Sequence, residues 1–587
     1  MTVMSMVRQL RRAVPLFILA TGTFCEAVAQ TPPAPVVALS ANTKRIEFSW
    51  PVVPGASYYV VKESATDGAP FTAISPRIAQ GRTGEILEHA KAISVHRQDW
   101  RSARYRVDAC DKAQIPSCSR SIEHSAAALE LETIGYLVAA KADAADGFGF
   151  AVATSSDGTT LAIGAPYEDC SCTGVDPSSI DEAATNAGAV YVFVKTSSGW
   201  RQQAYLKASV VAEYDLFGMT VALSSDGHTL AIGAPTVNTA STEAVHVFAR
   251  SGSSWRQAAI LTASNGSLGD RFGSALALSA DGQTLAVGAT GEDSSGTGTA
   301  ASGLDNDESE SGAAYIFSRA PGGSSWSQTA FIKGSHSDAA DLFGTSVALS
   351  ADGSTLAVGS QRDDSDATGG HIAALSCIVP APGAVCDVGA VDIYTRGLVG
   401  VWSRSAYLRP SIFDSEDMFG TAVALSADGR QLAVGAIGDD TDAVDSGAAY
   451  VFTRSGSGWA QEAFIKAFDV DTGDLFGGAL DFDDQGRTLA VSASLEDGSQ
   501  AGVSGDADEA SANAGAVFVF ERSPVDNRWL QSRYIKASNP DADDHFGGAF
   551  LRGALALSGD ATTLLVPAAD EDGPNDATPG SGAAYLY

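Results

Sequence analysis

The sequence predicts an all-β protein in which a β-sandwich is followed by a closed seven-bladed β-propeller. The dipeptide Phe-Gly recurs seven times along the chain, at intervals of 55 to 76 residues. Short apolar segments separated by glycine-containing turns follow each copy, and no helical period interrupts them. Seven units of four short segments are typical of a propeller. The seven openings are Phe148, Phe217, Phe272, Phe343, Phe419, Phe476 and Phe546.

The composition indicates a folded protein that does not bind nucleic acid. Of the 587 residues, 45% are hydrophobic and 18% are charged, which is enough apolar material for a large core and excludes disorder. The 37 Lys and Arg residues are outnumbered by 70 Asp and Glu residues, so the formal charge is −33. A protein that follows a phosphate backbone needs a basic surface, so we expect no nucleic-acid partner.

Residues 1–29 have the pattern of a secretory signal peptide. Three arginines precede the apolar run 13–20, and Ala27-Val28-Ala29 is a small-x-small cleavage site. A membrane anchor is the alternative, although the run is too short to span a bilayer stably. No later stretch reaches about 18 apolar residues, so we expect no transmembrane segment in the mature chain. The pattern predicts a secreted, periplasmic or cell-surface location.

The cysteines that remain after removal of Cys25 fall in close pairs. Export would place them in an oxidising compartment, where we expect local disulfides that staple loops. The second pair would close a very tight ring, so its bonding is left open. No histidine lies near these pairs at ligand spacing, which argues against zinc. The pairs are Cys110/Cys118, Cys170/Cys172 and Cys377/Cys386.

Residues 33–130 are predicted to form the sandwich. Segments 46–50, 58–61 and 105–109 alternate or run as short apolar strands between turns. The strand that holds Trp50 and the late Tyr-x-Val-x-Ala strand resemble a fibronectin type III domain. That resemblance implies a spacer or binding module and no chemistry.

Each repeat within 134–587 is predicted to form one blade. In the fifth repeat, the strands are 421–426, 431–436, 447–452 and 459–466, and Asp428-Gly429 separates the first two. Asp-Gly between apolar runs is a hairpin signal, because glycine accepts the positive φ that tight turns require. The small residues of the first two strands suit crowded positions near a common axis.

The two ends of the repeat region are complementary. The chain stops at 583–587, which is a third strand, and only six fourth strands begin with Trp. The missing strand is present before the first Phe-Gly, where 134–141 matches the last strand of the sixth repeat. We therefore expect this N-terminal segment to pair with the last blade and close the ring without an exposed edge. An open solenoid is the alternative.

Three motifs follow one another in these repeats: Phe-Gly, then Leu-Ala-Val-Gly-Ala, then Gly-Ala-x-Tyr-Val-Phe. This order resembles the FG-GAP repeat of the integrin α-chain propeller, whose bacterial relatives are secreted repeat proteins. The resemblance implies recognition or cell adhesion outside the cell, with calcium loops between the first two strands of some blades. This sequence departs from those loops, because its turns are short Asp-Gly hairpins, and the nearest approach is 481–486. Calcium takes six to eight oxygens, so the family's calcium sites are not carried over to these turns.

The acidic residues are concentrated in two sets of loops. The loops from second to third strands and from fourth to first strands hold 45 of the 70 acidic residues, and they also carry almost all the length variation. In a propeller these loops emerge on one face. Three interpretations are open: solvated loops that keep the protein soluble, carboxylates bridged by calcium, or steering of a cationic or sugar partner.

Calcium is the expected ion if carboxylates from these loops converge. The candidates come from four acidic runs, in which oxygen ligands lie one to three residues apart. They are Asp305, Asp307, Glu308; Asp439, Asp440, Asp442, Asp445; Asp469, Asp471, Asp474; and Asp506, Asp508, with Glu509 beside them.

No catalytic motif is found. The five histidines of the repeat region occupy different places in their repeats, and there is no nucleophile elbow, metalloprotease motif or phosphate loop. We therefore predict a non-catalytic protein that binds a protein or glycan ligand through the acidic face. An exported hydrolase or lyase acting on polysaccharide or phosphoester substrates is the alternative.

Overall fold

A computed structural model describes residues 31–587 apart from short segments, so the predicted signal peptide lies outside the described residues. Regular helix in the described part is limited to α1 (Glu130–Thr133), with 3-10 turns at Val95–Arg97, Ala127–Leu129 and Gly298–Ala300. None of these described helices is long or apolar enough to cross a membrane. The segments left out are 67–68, 98–99, 113–115, 141–142, 179–180, 237–241, 365–385, 457, 470, 504–507, 550–551 and 574–575.

The first region consists of two antiparallel sheets. Phe48 and Trp50 of one sheet contact Tyr105 and Tyr59 of the other, with ring centroids 5.4 and 5.7 Å apart, and all four are fully buried. The assignment to the fibronectin type III class and the boundaries 33–130 stay predictions. One sheet contains β1 (Ala38–Asn42), β2 (Arg45–Pro51) and β6 (Ile86–Ala92); the other contains β3 (Tyr58–Ser64), β4 (Thr72–Ala73), β5 (Ile78–Ala79), β7 (Arg104–Cys110), β8 (Cys118–Arg120) and β9 (His124–Ser125).

Seven further sheets, here called blades 1 to 7, follow within the described residues; they are antiparallel except for one parallel contact in blade 7. Blade 1 contains β11 (Ala151–Thr154), β12 (Thr160–Ala165), β13 (Ala189–Thr196) and β14 (Gly199–Leu206), and blade 2 contains β15 (Thr220–Leu223), β16 (Thr229–Ala234), β17 (Ala244–Ser251) and β18 (Ser254–Leu261). Blade 3 contains β19 (Phe272–Leu278), β20 (Thr284–Ala289), β21 (Ala313–Arg319) and β22 (Trp326–Ile332), and blade 4 contains β23 (Ser346–Leu349), β24 (Thr355–Ser360), β25 (Ala390–Arg396) and β26 (Trp402–Leu408). Blade 5 contains β27 (Phe419–Leu425), β28 (Gln431–Ala436), β29 (Ala448–Ser455) and β30 (Gly458–Ile465).

Blades 6 and 7 carry additional short strands. Blade 6 contains β31 (Leu480–Phe482), β32 (Thr488–Ala493), β33 (Gly502–Val503), β34 (Ala516–Arg522) and β35 (Trp529–Lys536). Blade 7 contains β36 (Gly548–Ala549), β37 (Arg552–Gly553), β38 (Ala556–Leu557), β39 (Leu564–Ala568), β40 (Ala583–Leu586) and, from the start of the repeat region, β10 (Gly135–Leu137).

The Phe-Gly dipeptide joins each blade to the preceding one. The N–H of Phe476 in blade 6 donates to the carbonyl of Ser446 in blade 5, at 3.0 Å, while its ring packs against Phe518 of its own third strand. Gly447 precedes the third strand of blade 5 with φ 76°, and a Cβ there would lie 2.1 Å from the carbonyl oxygen of Phe476. The glycine and the aromatic residue therefore form one inter-blade joint, which recurs around the molecule.

The two ends of the repeat region pair as the sequence predicts. Strand β10 pairs antiparallel with β40, with Tyr136 opposite Tyr585. The Phe-Gly joint also continues across the closure, since the N–H of Phe148 in blade 1 donates to the carbonyl of Ser581 in blade 7, at 3.1 Å. The first strand of blade 1, β11, contacts β38 of blade 7. The N-terminal segment is thus the outer strand of the last blade.

The short Asp-Gly turns are closed by their own side chains. In blade 5, the hydroxyl of Ser426 donates to Asp428 at 2.8 Å, and Asp428 also accepts the N–H of Arg430 at 3.0 Å. The same serine-aspartate bond forms at Ser155, Ser224, Ser279, Ser350 and Ser558. These aspartates therefore stabilise the hairpins in which they lie.

The glutamine of the Trp-x-Gln motif binds the neighbouring blade. The side-chain oxygen of Gln257 accepts the N–H of Ser209 at 3.0 Å, and Gln328, Gln461 and Gln531 make the equivalent bond to the blade before them. The motif therefore fixes the loop that leads from one blade to the next.

The first region packs on the hairpin end of blade 7. Lys44 is 2% exposed, and its ammonium donates to the carbonyl of Thr562 at 2.7 Å and to the hydroxyl of Thr563 at 2.8 Å. His96 Nε2 lies 3.1 Å from the carbonyl oxygen of Ala561, and burial lowers the pKa of His96 to about 3. This contact lies at the end of the blade opposite to the Phe-Gly joint.

The predicted disulfide Cys110–Cys118 is present, and Cys170–Cys172, whose bonding the sequence left open, is also bonded. Cys386 is disulfide-bonded as well, whereas Cys377, its predicted partner, lies outside the described residues.

Candidate functional site: the acidic loop face

The two acidic sets of loops meet at one end of the blades. Tyr214, in the loop between blades 1 and 2, donates its N–H to the carbonyl of Thr185 in the second-to-third loop of blade 1, at 2.8 Å. Ala340 and Ser309 make the same contact between blades 3 and 4. We call this end of the molecule the acidic loop face. Its acids fall into three structural groups.

The first group consists of buried acid–cation pairs, one in each of five blades. The acid lies three residues after the second strand, and the Lys or Arg lies seven residues after the Trp of the fourth strand. Each acid is at most 4% exposed. The pairs are Glu168–Lys207 (2.7 Å), Glu292–Lys333 (2.6 Å), Asp363–Arg409 (3.1 Å), Asp439–Lys466 (3.1 Å) and Glu496–Lys536 (2.6 Å).

The second group consists of buried aspartates that lie two residues before the Phe of the joint. Asp417, for example, accepts the N–H of Asp414 at 2.7 Å, and burial raises its pKa to about 7. Burial likewise raises the pKa of Asp341 to about 9, and the nearby charge of Asp363 adds to the effect. These carboxyls stabilise loops and hold their protons into the neutral range. The others are Asp146, Asp270, Asp474 and Asp544.

The third group consists of acids that order a loop through its backbone. Asp169 accepts the N–H of Asn186 at 2.6 Å, and Asp497 accepts the N–H of Asn513 at 2.7 Å. Asp440 accepts the N–H of Asp445 at 2.7 Å. Many of the acidic residues therefore stabilise the conformations of the loops.

The run 439–445 does not form the cluster that we considered from the sequence. Asp439 is 1% exposed, pairs with Lys466 and accepts the hydroxyl of Tyr450 at 2.8 Å. Asp440 is occupied by the backbone of Asp445, and Asp442 is exposed. The spacing in sequence resembled a ligand set, but the side chains have separate partners.

The runs at 305–308 and 506–508 do not converge either within the described residues. Asp305 accepts the N–H of Ser295 at 2.7 Å, and it forms no metal-ligand group with Asp307 and Glu308. Asp508 accepts both the N–H and the hydroxyl of Ser499, at 2.8 and 3.0 Å. Asp506 lies outside the described residues.

One group of carboxylates does converge. Within the described part of the chain, oxygens of Asp469, Asp471 and Glu509 lie within 4.8 Å of one another, whereas Asp474 accepts the N–H of Asp471 and is not part of the group. Burial raises the pKa of Glu509 to about 7, and the charge of Asp471 contributes. Asp469 and Asp471 were predicted ligands of one run and Glu509 was a candidate of another; their convergence was missed, because Glu509 reaches them from a different loop.

The described histidines do not form a catalytic constellation. His246 is 7% exposed, packs edge-on against Phe217 and lies 3.3 Å from the amide nitrogen of Gln257. Burial lowers its pKa to about 4, as expected for a neutral core residue. His228 and His545 lie beside Asp226 and Asp570 in different blades.

The blades surround an axial cavity of about 430 Å³ that opens where the first strands begin. Its wall includes Phe150, Thr220, Ser274, Thr345 and Thr421 from five successive blades. The seven first strands therefore face one common axis.

The fold and these joints define a β-propeller built from Phe-Gly repeats. The family model of the FG-GAP repeat matches residues 200–248, 255–317 and 402–452. These three regions are therefore similar to the FG-GAP repeat, and each match runs from the fourth strand of one blade to the third strand of the blade that follows.

No curated protein matches the chain. Among solved structures, a protein from Bacteroides uniformis assigned as a 6-phosphogluconolactonase is 8% identical, with a TM-score of 0.41 over 82% of this chain and 98% of its own. The WD40 repeats of RRP9 are 10% identical, with a TM-score of 0.40 over 77% of this chain and 97% of their own.

Proposed function

We propose that this protein is an exported, non-catalytic binding protein that recognises a protein or glycan ligand through the acidic loop face of a closed seven-bladed propeller. The observation that carries the proposal is that some acidic residues stabilise the loops while others are exposed to solvent. Three groups build rigid loops, and a further set is left exposed at the same end, including Asp307, Asp442 and Glu509. Preorganised loops with exposed charge favour recognition and fast association with a partner of opposite charge.

The position of the first region supports the same assignment. It packs on the hairpin end of blade 7 through Lys44 and His96, so it leaves the acidic loop face open. A spacer or binding module is the role proposed for it.

Charge reversal on the loop face tests the proposal. We expect a ligand identified on a glycan array or a panel of extracellular proteins to lose at least about tenfold in affinity for the Asp307→Lys/Asp442→Lys variant, because removal of steering charge and introduction of repulsion act together. Asp526→Lys at the opposite end is the matched control and should bind like the wild type. Equal loss in both variants, or turnover of a glycan or phosphoester in the same screen, would overturn the assignment.

Calcium is proposed to bind at Asp469, Asp471 and Glu509. Three carboxylates supply part of the six to eight oxygens that calcium takes, and backbone oxygens or water would supply the rest. Metal binding must displace the proton that Glu509 retains up to about pH 7, so affinity should fall as the pH drops below that value.

Millimolar calcium is expected to raise the unfolding temperature of the protein at pH 8, relative to chelator, and to raise it less at pH 6. At a calcium concentration about 100 times the dissociation constant, the stabilisation is about 2.7 kcal/mol. The Asp471→Asn/Glu509→Gln variant should lose the shift, whereas Asp307→Asn should retain it. An unchanged shift in the first variant would place the ion elsewhere, and no shift in the wild type would remove calcium from the proposal.

A further inference from the structure

The buried acid–cation pairs follow a rule that two blades break. In blades 1, 3, 4, 5 and 6, an acid after the second strand is neutralised by a Lys or Arg from the fourth strand. Blade 2 has lost both members, since Val237 and Thr262 occupy the two positions. Because blade 2 lacks both the acid and the cation of the pair, no buried charge is left there without a partner, which would be costly. Blade 7 has lost the cation alone.

The strand register identifies the residue that replaces the cation. Tyr136 of β10 lies opposite Tyr585, as Tyr205 lies opposite Tyr191 in blade 1. Lys207 is two residues after Tyr205, so its counterpart in the closing strand is Val138. The acid of blade 7, Glu571, is 1% exposed and is therefore buried without that cation.

Glu571 has four other partners around it. The hydroxyls of Tyr136 and Tyr585 donate to its two oxygens, at 3.1 and 2.8 Å, and the amide of Asn539 donates at 3.0 Å. The carboxyl of Asp544, 3% exposed, forms a hydrogen bond with the carboxyl of Glu571. Two carboxyl groups can bond in this way only if one of them carries a proton.

The remaining titratable groups near this pair are mostly acidic. Asp541 donates its N–H to Asp544, and Asp572 and Asp576 act on Asp541 through their charge. His545 follows Asp544 but lies 2.7 Å from Asp570, a separate pair. No cation of the described residues pairs with Glu571; Lys141, three residues after Val138, lies outside them.

We propose that a proton shared by Asp544 and Glu571 closes the ring. Glu571 accepts the hydroxyl of Tyr136 in the closing strand, so the shared proton makes the attachment of β10 to blade 7 sensitive to pH. Deprotonation leaves two buried carboxylates side by side without a cation. Opening of β10 exposes both to water and relieves the repulsion. In blades 1, 3, 4, 5 and 6 a Lys or Arg compensates the acid that corresponds to Glu571, so deprotonation of the neighbouring aspartate leaves a smaller net buried charge there.

The sign and the range of the response follow from the protonation equilibria. Burial, together with the charge of Glu571, raises the pKa of Asp544 to about 8, and burial also raises the pKa of Glu571. The closed strand then keeps a proton that the opened strand releases, so closure weakens as the pH rises from about 4 to about 8. One proton per opening event changes the opening equilibrium by up to about tenfold per pH unit in that window.

Hydrogen exchange of the full chain tests the proposal. After correction for intrinsic exchange, we expect protection of the amides of β10 to fall by up to about tenfold per pH unit between pH 5 and 8, and to level off above pH 8. In Val138→Lys, which restores the cation found in blades 1, 3, 5 and 6, Glu571 gains a counter-charge, so protection of β10 should fall less steeply with pH than in the wild type. Val138→Met, of similar size and without charge, should behave like the wild type.

Two further variants separate this mechanism from its alternatives. Glu571→Gln removes the second charge, so it should make the pH dependence at β10 shallower while leaving that of β35 in blade 6 unchanged. Lys141→Met should have no effect; if it creates or steepens the pH dependence, Lys141 is the missing cation. That result, or a wild-type strand whose protection does not change with pH, would overturn the shared-proton closure.

Discussion

Replacing Lys536 by methionine is expected to lower the free energy of unfolding by about 3–5 kcal/mol, because it leaves the carboxylate of Glu496 buried without a cation. Lys536 is fully buried and Glu496 is 3% exposed, at an Nζ–Oε2 distance of 2.6 Å. The side chain of methionine fills most of the volume of the lysine, so the lost charge dominates. Urea unfolding followed by tryptophan fluorescence measures the change.

Two controls identify the cause of that loss. The double variant Lys536→Met/Glu496→Gln should recover much of the stability, since it removes the unpaired charge and keeps a polar group for Tyr534. Arg528→Met breaks an exposed pair with Asp526 and should change stability by no more than about 0.5 kcal/mol. If Lys536→Met resembled Arg528→Met, the buried pairs would not be important for stability.

Replacing Gly447 by alanine is expected to cost about 4 kcal/mol or more, which is exceptional for a single methyl group. The added Cβ would lie 2.1 Å from the carbonyl oxygen of Phe476 and 2.5 Å from its nitrogen. Both atoms belong to the backbone joint between blades 5 and 6, so they cannot rotate away as a side chain would. The joint itself must open.

Gly456→Ala is the matched control for that substitution. Gly456 also has a positive φ, 63°, but no atom lies within 4 Å of a Cβ built on it. Its replacement should cost only about 1 kcal/mol of backbone strain. Urea unfolding of the two variants separates strain from steric contact, and equal losses would contradict the role assigned to the joint.

The repeat and its closure could be predicted because they depend on short, local signals. Phe-Gly, Asp-Gly and Gly-Ala each impose one backbone conformation, and the surplus third strand and missing fourth strand showed where the ends meet. The short strands β33, β36 and β37 were not foreseen, because residues 502–503 and 548–553 carry no alternation of their own.

The metal candidates could not be predicted in the same way. Neighbouring carboxylates such as Asp439 and Asp440 suggested shared ligation, but one is paired with Lys466 and the other with a backbone amide. Glu509 joins Asp469 and Asp471 from a loop 38 residues away in sequence. A better signal was available in the recurrence of Lys or Arg seven residues after five of the six Trp residues that begin fourth strands, which marks the buried pairs.

The joint made by Phe-Gly also bears on how such proteins gain or lose repeats during evolution. Because each Phe-Gly binds the blade before it, a duplicated segment that runs from one Phe to the next would bring both halves of a new joint and leave the old ones intact. A segment cut at the visible edges of a blade would break two joints instead. The number of repeats is therefore expected to change by segments whose ends do not coincide with the ends of the sheets.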